Sequence, residues 1–291
     1  MTPPASPSPT PASATIITQV DVAARPDPVL SADGSLWVGH YQSNKLERVD
    51  PSSAEVIASI TVRSPIDLVE AFGSVWAAAL TDDSVVRIDP GTTEIVARIP
   101  VGISPDGITA GFGAIWAVNQ AGGTVSRIDP DVERVTATYD VSDAPLYATT
   151  GFGSLWITDT DRSVVVRMDP ATGKTIARID TDLTPIHVLR AYGSMWVTTY
   201  DGATLQRIDP DPNAVVGTID VGDGADGLID HDGCLWVVTD RDDSIVQVDP
   251  NAEAVVASWQ LDTQPHNGAF VDDRFWTAAF DDGRLLELEL G

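Results

Sequence analysis

Short apolar runs rich in β-branched residues alternate with clusters of Gly, Asp and Pro along nearly the whole chain. Pro105 to Thr109 begins one apolar run, and Gly111-Phe112-Gly113 reads as a turn. Ala114 to Val118 is a β-rich run around Trp116, followed by a polar, glycine-rich loop from Asn119 to Gly123. Thr124 to Ile128 is a second β-branched run closed by Asp129-Pro130, and Arg134 to Val141 is a third. Such runs predict strands and the Gly, Asp and Pro clusters predict turns. No stretch carries a helical period of useful length.

The same pattern returns every 40 residues or so. Tryptophan recurs at Trp37, Trp76, Trp116, Trp156, Trp196, Trp236 and Trp276. Asp50-Pro51, Asp89-Pro90, Asp129-Pro130, Asp169-Pro170, Asp209-Pro210 and Asp249-Pro250 keep the same step. A proline precedes the tryptophan by 11 residues at Pro26, Pro65, Pro105, Pro145, Pro185 and Pro265, with Ala225 in the sixth copy. Four short antiparallel strands per repeat, repeated seven times, predict an all-β, seven-bladed β-propeller. The strands are A to D from the axis outward: A starts at the proline, B holds the Trp, C ends at Asp-Pro, and D follows. A large aromatic in every blade fills the gap between adjacent twisted sheets, and Trp259 on strand D reads as core too.

The ends of the chain predict how the ring closes. The last repeat stops after its C strand, Leu285 to Leu290, while Ile16 to Val22 resembles a D strand. The N-terminal strand is therefore expected to complete the last blade, which would remove an exposed sheet edge. The propeller domain is read as residues 15–291. Residues 1–14, MTPPASPSPTPASA, lack larger apolar groups and read as a disordered tail or linker. They lack the basic start and apolar core of a signal peptide. Tails of this kind often tether a domain to an envelope, which leans the localisation toward secreted or cell-envelope. A monomer is expected.

Composition narrows the function. The formal net charge is −26 with only two lysines, Lys45 and Lys174. Such a surface repels phosphate backbones and anionic membranes, disfavouring nucleic-acid and membrane partners, and attracts cations. No apolar run approaches a membrane span. The single cysteine, Cys234, excludes an intrachain disulfide and occupies a slot held elsewhere by Ser35, Ser74, Ala114, Ser154 and Ser194. Arg48, Arg87, Arg127, Arg167 and Arg207 each fall two residues before the repeat's Asp. They read as structural, either as Arg–Asp pairs or as turn anchors.

Structural positions should repeat, whereas a binding site needs different groups from different blades. The two residues after the proline slot differ in every blade: Asp27-Pro28, Ile66-Asp67, Asp106-Gly107, Leu146-Tyr147, Ile186-His187, Asp226-Gly227 and His266-Asn267. They form a heterogeneous polar ring at the channel mouth. His266 and His187 are candidate proton acceptors and Tyr147 a candidate donor. Asp67, Asp106 and Asp226 are candidate oxygen ligands for Mg or Ca. His40, Tyr41, Tyr200 and Asn267 are candidate ligand-binding groups, and Asp159, Asp240, Arg162 and Arg241 lie in nearby B-to-C loops. The fourth histidine, His231, falls on the opposite face.

Residues Gly153 to Ile179, GSLWITDTDRSVVVRMDPATGKTIARI, resemble the repeats of YVTN-type and virginiamycin B lyase-like bacterial propellers. The likeness covers roughly residues 15 to 290 and does not extend to WD40 repeats, whose closing Trp-Asp pair is missing. The resemblance implies the propeller fold. For the lyase members it further implies opening of a cyclic peptide antibiotic by elimination with a magnesium ion, using histidines and acidic residues at the mouth. His266 and His187 stand at comparable places. The chain departs from that pattern: its mouth positions contain no glutamate, and the two histidines are two blades apart. Three functions follow as expectations. The first is a binding or scaffold propeller taking a small molecule or peptide at the mouth. The second is a metal-assisted C–O lyase acting on a peptide or lactone. The third is a protein partner held by the acidic rim.

Overall fold

The structure, a computed structural model, describes residues 11–290. Seven antiparallel sheets follow one another in the chain, and each has its strands in the order A-B-C-D. Blade 1 comprises Pro26–Ala32, Ser35–His40, Lys45–Asp50 and Glu55–Thr61, and blades 2 to 6 repeat this plan. Each A strand touches the A strands of both neighbouring blades, and that of blade 7 touches that of blade 1, so the sheets form a closed ring with the A strands innermost. Among the described residues no helix is long and apolar enough to cross a membrane.

Blade 7 consists of Pro265–Val271, Arg274–Ala279 and Arg284–Glu289, completed by the N-terminal strand Thr15–Asp21. That strand pairs antiparallel with Arg284–Glu289, from Thr15 opposite Glu289 to Asp21 opposite Arg284, with a register shift between Ile16 and Thr18. The D strands of the other blades carry the same irregularity. The expected closure is therefore present. Of the expected tail, residues 1–10 lie outside the described residues. Ala12–Ser13 pair in parallel with Trp259 and Gln260, adding a fifth strand to blade 6.

The core is a series of layers between blades. The tryptophans pack there with apolar residues of the next sheet; Trp116, for example, shares a buried cluster with Leu155 and Ile157. Five of the indole N–H groups donate to the carbonyl five residues earlier, as Trp156 does to Gly151 at 2.9 Å, so burying the indole leaves no polar atom unpaired there. In six blades the A–B hairpin uses a two-residue turn with positive φ at both positions, such as Phe112 (55°) and Gly113 (68°). This twist matches that of the strands it joins.

The repeated Asp anchors its own turn: Asp89 Oδ1 accepts the N–H groups of Gly91 and Thr92, at 2.8 and 3.1 Å. Four of the five repeated arginines, all but Arg127, reach the next blade instead of pairing with that Asp. Arg167 donates to Ser154 Oγ in its own blade and to the Pro210 carbonyl of the next, at 2.9 and 2.6 Å. Arg48 and Arg87 make the equivalent bonds through Ser35 and Ser74. In blades 1, 2 and 4 the serine two residues before the tryptophan thus accepts from this guanidinium.

Candidate functional site: a carboxylate–histidine hub

The hub is built by an irregularity in strand A. In all seven blades the A–B register shifts over the residues that follow the proline slot, as between Pro185 and Val188, Ala225 and Leu228, or Pro65 and Asp67. A bulge re-aims side chains away from the ladder. Here it directs one polar residue per blade toward the axis. The orphaned backbone groups find side-chain partners: Thr198 Oγ1 accepts from His187 N–H at 3.1 Å and donates to the Asp226 carbonyl at 2.8 Å. Gly107 leaves room for the next blade, since a Cβ there would lie 2.5 Å from the Leu146 carbonyl oxygen.

Four consecutive blades form a chain of ion pairs. His187 Nδ1 lies 3.2 Å from Asp226 Oδ1 in blade 6. The other oxygen of Asp226 is 3.7 Å from His266 Nδ1 in blade 7, which is 2.8 Å from Asp27 Oδ1 in blade 1. The two histidines, two blades apart in sequence order, are thereby joined through one buried carboxylate. Tyr147 stacks on His187 with ring centroids 4.1 Å apart, and Phe280 stacks on His266 at 4.7 Å. His266 Nε2 lies 3.8 Å from Asp240 Oδ2, which also accepts from the Tyr200 hydroxyl at 2.9 Å.

Asp226, Asp240 and His266 offer ligand atoms that all lie within 4.8 Å of one another. The second oxygen of Asp240 is buried without a hydrogen-bond partner. Two hard carboxylate oxygens and one imidazole nitrogen are a donor set that suits a divalent cation. Of the three aspartates singled out in the sequence, only Asp226 belongs to this group. Asp67 accepts the backbone N–H groups of Ile108 (2.7 Å) and Leu68 (2.8 Å) and so staples blade 2 to blade 3. Asp106 lies outside this group, among the charges of Asp67 and Asp27.

The electrostatics follow from crowding acids in a buried ring. Burial, reinforced for Asp106 by Asp67 and Asp27, pushes the carboxyls of Asp67 and Asp106 up to about 7. Burial opposes the charged form of His266, but Asp27, Asp226 and Asp240 outweigh it and push its imidazole up to about 10. His187 is raised too, because Asp226 overcomes its burial. Burial disfavours ionisation of Asp226, yet its two histidines hold it below the usual range. Burial and the neighbouring acids hold the Tyr147 hydroxyl protonated well above its ordinary range.

The remaining candidates separate by their place at the end of strand B. Tyr41, Tyr200, Asp240 and Phe280 each fall four residues after their tryptophan and rim the mouth. Arg25 lies over the Phe280 ring at 4.8 Å and Arg241 over Tyr200 at 4.2 Å. His40 falls one residue earlier and is fully buried, with Nε2 3.2 Å from Glu47 Oε2. Glu47 in turn accepts from Ala23 N–H at 3.0 Å, so this pair anchors a D–A loop and does not line the mouth. Asn119 and Gln206 hold the corresponding loops of blades 3 and 5. Asn267 Oδ1 accepts from Gly268 N–H at 2.7 Å. Sequence reasoning missed Asp27 as a histidine partner, Asp240 as a member of the carboxylate–histidine group, and Phe280.

Fold and hub together define a seven-bladed propeller with a buried carboxylate–histidine cluster on its inner strands. The same fold is found in virginiamycin B lyase from Staphylococcus aureus, with a TM-score of 0.81 and 16% identity over 94% of this chain and 99% of that one. A streptogramin B lyase structure matches with a TM-score of 0.81 and 18% identity, over 94% and 97% of the two chains. No protein-family model and no curated protein matches the chain.

Proposed function

We propose that the channel mouth is the active site of a divalent-cation-assisted lyase that breaks a C–O bond in a peptide-borne ester or lactone. The observation that carries this reading is the convergence of Asp226, Asp240 and His266 beside a second, paired histidine. The likeness in fold to two lyases supports it. Asp226, Asp240 and His266 would hold Mg or Ca, which when bound neutralises the acidic hub and polarises a carbonyl oxygen.

His187 is the proton acceptor in this scheme. His266, the first candidate from sequence, is engaged by Asp27 and by the cation ligands. Asp226 is what raises His187 against its burial. Once the charge of Asp226 is drawn to a cation, the desolvation of His187 dominates and favours the neutral imidazole. Its Nδ1 is fixed by Asp226, so Nε2 is the atom that takes the proton from carbon next to the carbonyl. The electron pair forms the C=C bond, the β C–O bond breaks, and the oxygen departs as carboxylate. Tyr147, stacked on the imidazole and held protonated, limits its rotation.

The test is incubation of the protein with cyclic depsipeptides, virginiamycin B among them, in ¹⁸O-labelled water with Mg, Ca or EDTA. Elimination gives an unsaturated product that carries no ¹⁸O, needs the cation, and disappears in His187→Ala. Product labelled with ¹⁸O would mean hydrolysis and reject the reading. Saturable binding without turnover would make the mouth a ligand-binding site instead.

A further inference from the structure

A second site lies between blades 6 and 7, away from the mouth. In the first five blades the core tryptophan faces an arginine across strands B and C, from Trp37 opposite Arg48 to Trp196 opposite Arg207. In four of them the guanidinium lies over the indole, 4.9 to 6.0 Å from the ring centroid. Arg48, Arg87 and Arg167 also span to the next blade's proline carbonyl. In these three blades the guanidinium spans the groove between neighbouring sheets, whereas Arg127 turns to Thr136 of its own blade.

Blade 6 lacks this filler. Trp236 faces Gln247, and Cys234 replaces the accepting serine. In blade 7 the roles are exchanged: Arg274 stands in the serine slot and pairs at 3.3 Å with Glu287, which stands in the arginine slot. A cavity of about 520 Å³ opens where the arginine would lie, lined by Trp236, Gln247, Trp259 and Phe270. Trp236 is 7% exposed, against 0 or 1% for the other six tryptophans of the series. Trp259 stacks on it at 5.6 Å and Phe270 meets it edge-on at 5.2 Å. Asp232, Asp273 and Glu289 also line the cavity, with His231, whose Nε2 lies 3.5 Å from Asp273, and the single guanidinium of Arg274, whose charge Glu287 balances.

We propose that this groove is a binding site for a small guanidinium-bearing cation, which takes the place the chain's own arginine occupies in the other blades. The partly uncovered Trp236 offers aromatic surface for a cation–π contact and the carboxylates offer charge complementarity. The site is independent of the chemistry at the mouth.

The probe is butylguanidinium, titrated calorimetrically at physiological salt, with butylammonium as the control. The expected Kd is on the order of 0.1–1 mM, with butylammonium at least about tenfold weaker. Gln247→Arg refills the groove from within and should abolish binding while melting at or above the parent temperature. Asp273→Asn, at a fully exposed rim position, should weaken binding several-fold without touching the core, which keeps the test decisive should Gln247→Arg fail to fold. Asp240→Asn, at the mouth, should leave binding unchanged. Absence of saturable binding up to about 10 mM would overturn the proposal. Equal binding by Gln247→Arg, or loss in Asp240→Asn, would overturn it as well.

Discussion

Replacing Asp106 by Asn should stabilise the protein, and only above mildly acidic pH. Asp106 is buried at the hub near Asp67 and Asp27, and burial together with these acids pushes its carboxyl from 3.8 up to about 7. A carboxyl whose folded-state pKa is raised supports the fold fully below its unfolded value. That support is lost as pH rises through the folded value. The shift of about three pH units corresponds to about 4 kcal/mol, all of it lost by pH 8.5. Relaxation of neighbouring charges will reduce this, so a gain of about 2–4 kcal/mol is expected for Asp106→Asn at pH 8.5. For a domain of this size that is roughly 3–7 °C in melting temperature. The assay is thermal unfolding of parent and variant from pH 4 to 8.5 in EDTA, so that no cation masks the repulsion. The two curves should nearly meet at pH 4 and separate through pH 7. A gap that is constant with pH, or a variant less stable at pH 8.5, would refute the account of the hub as a ring of mutually repelling acids.

Two further outcomes follow. Because His266 is pushed up to about 10, a cation that takes its imidazole must displace a proton. Apparent affinity should therefore rise close to tenfold per pH unit between 7 and 9, and calorimetry in buffers of different ionisation enthalpy should count about one proton released. A pH-independent affinity would remove His266 from the ligand set. Deleting residues through Asp21 strips the outer strand from blade 7, exposing the edge of Arg284–Glu289 and uncovering Val20's partners in the blade 7–blade 1 layer. The truncated chain should melt well below the parent and aggregate, whereas equal stability would contradict the closure.

The repeat made the fold legible because each blade must bury the same aromatic in the same gap. The closing strand was legible because Ile16 to Val22 has nowhere else to pair. The identity of the hub residues was legible too, since heterogeneity after the proline slot stands out against a regular background. Their grouping was not. Whether a hub carboxylate meets a histidine or a backbone N–H depends on the bulge, which lets position one reach inward in Asp226 and position two in Asp67. His40 shows the same limit at the end of strand B: one residue decides between the inter-sheet layer, where Glu47 awaits it, and the rim, where Asp240 and Phe280 project. Strand alternation fixes that choice, but only once the strand's end is known to the residue. The groove over Trp236 was visible in the sequence only as a missing arginine.

At the hub the seven sheets bring Asp226, Asp240 and His266 together as the proposed cation site. Crystals grown with Mn²⁺ and measured for anomalous scattering test it most directly. A single strong peak bonded to these three side chains, absent in Asp240→Asn, is the predicted result. An empty hub at millimolar Mn²⁺, or a peak bound only by surface carboxylates, would contradict it.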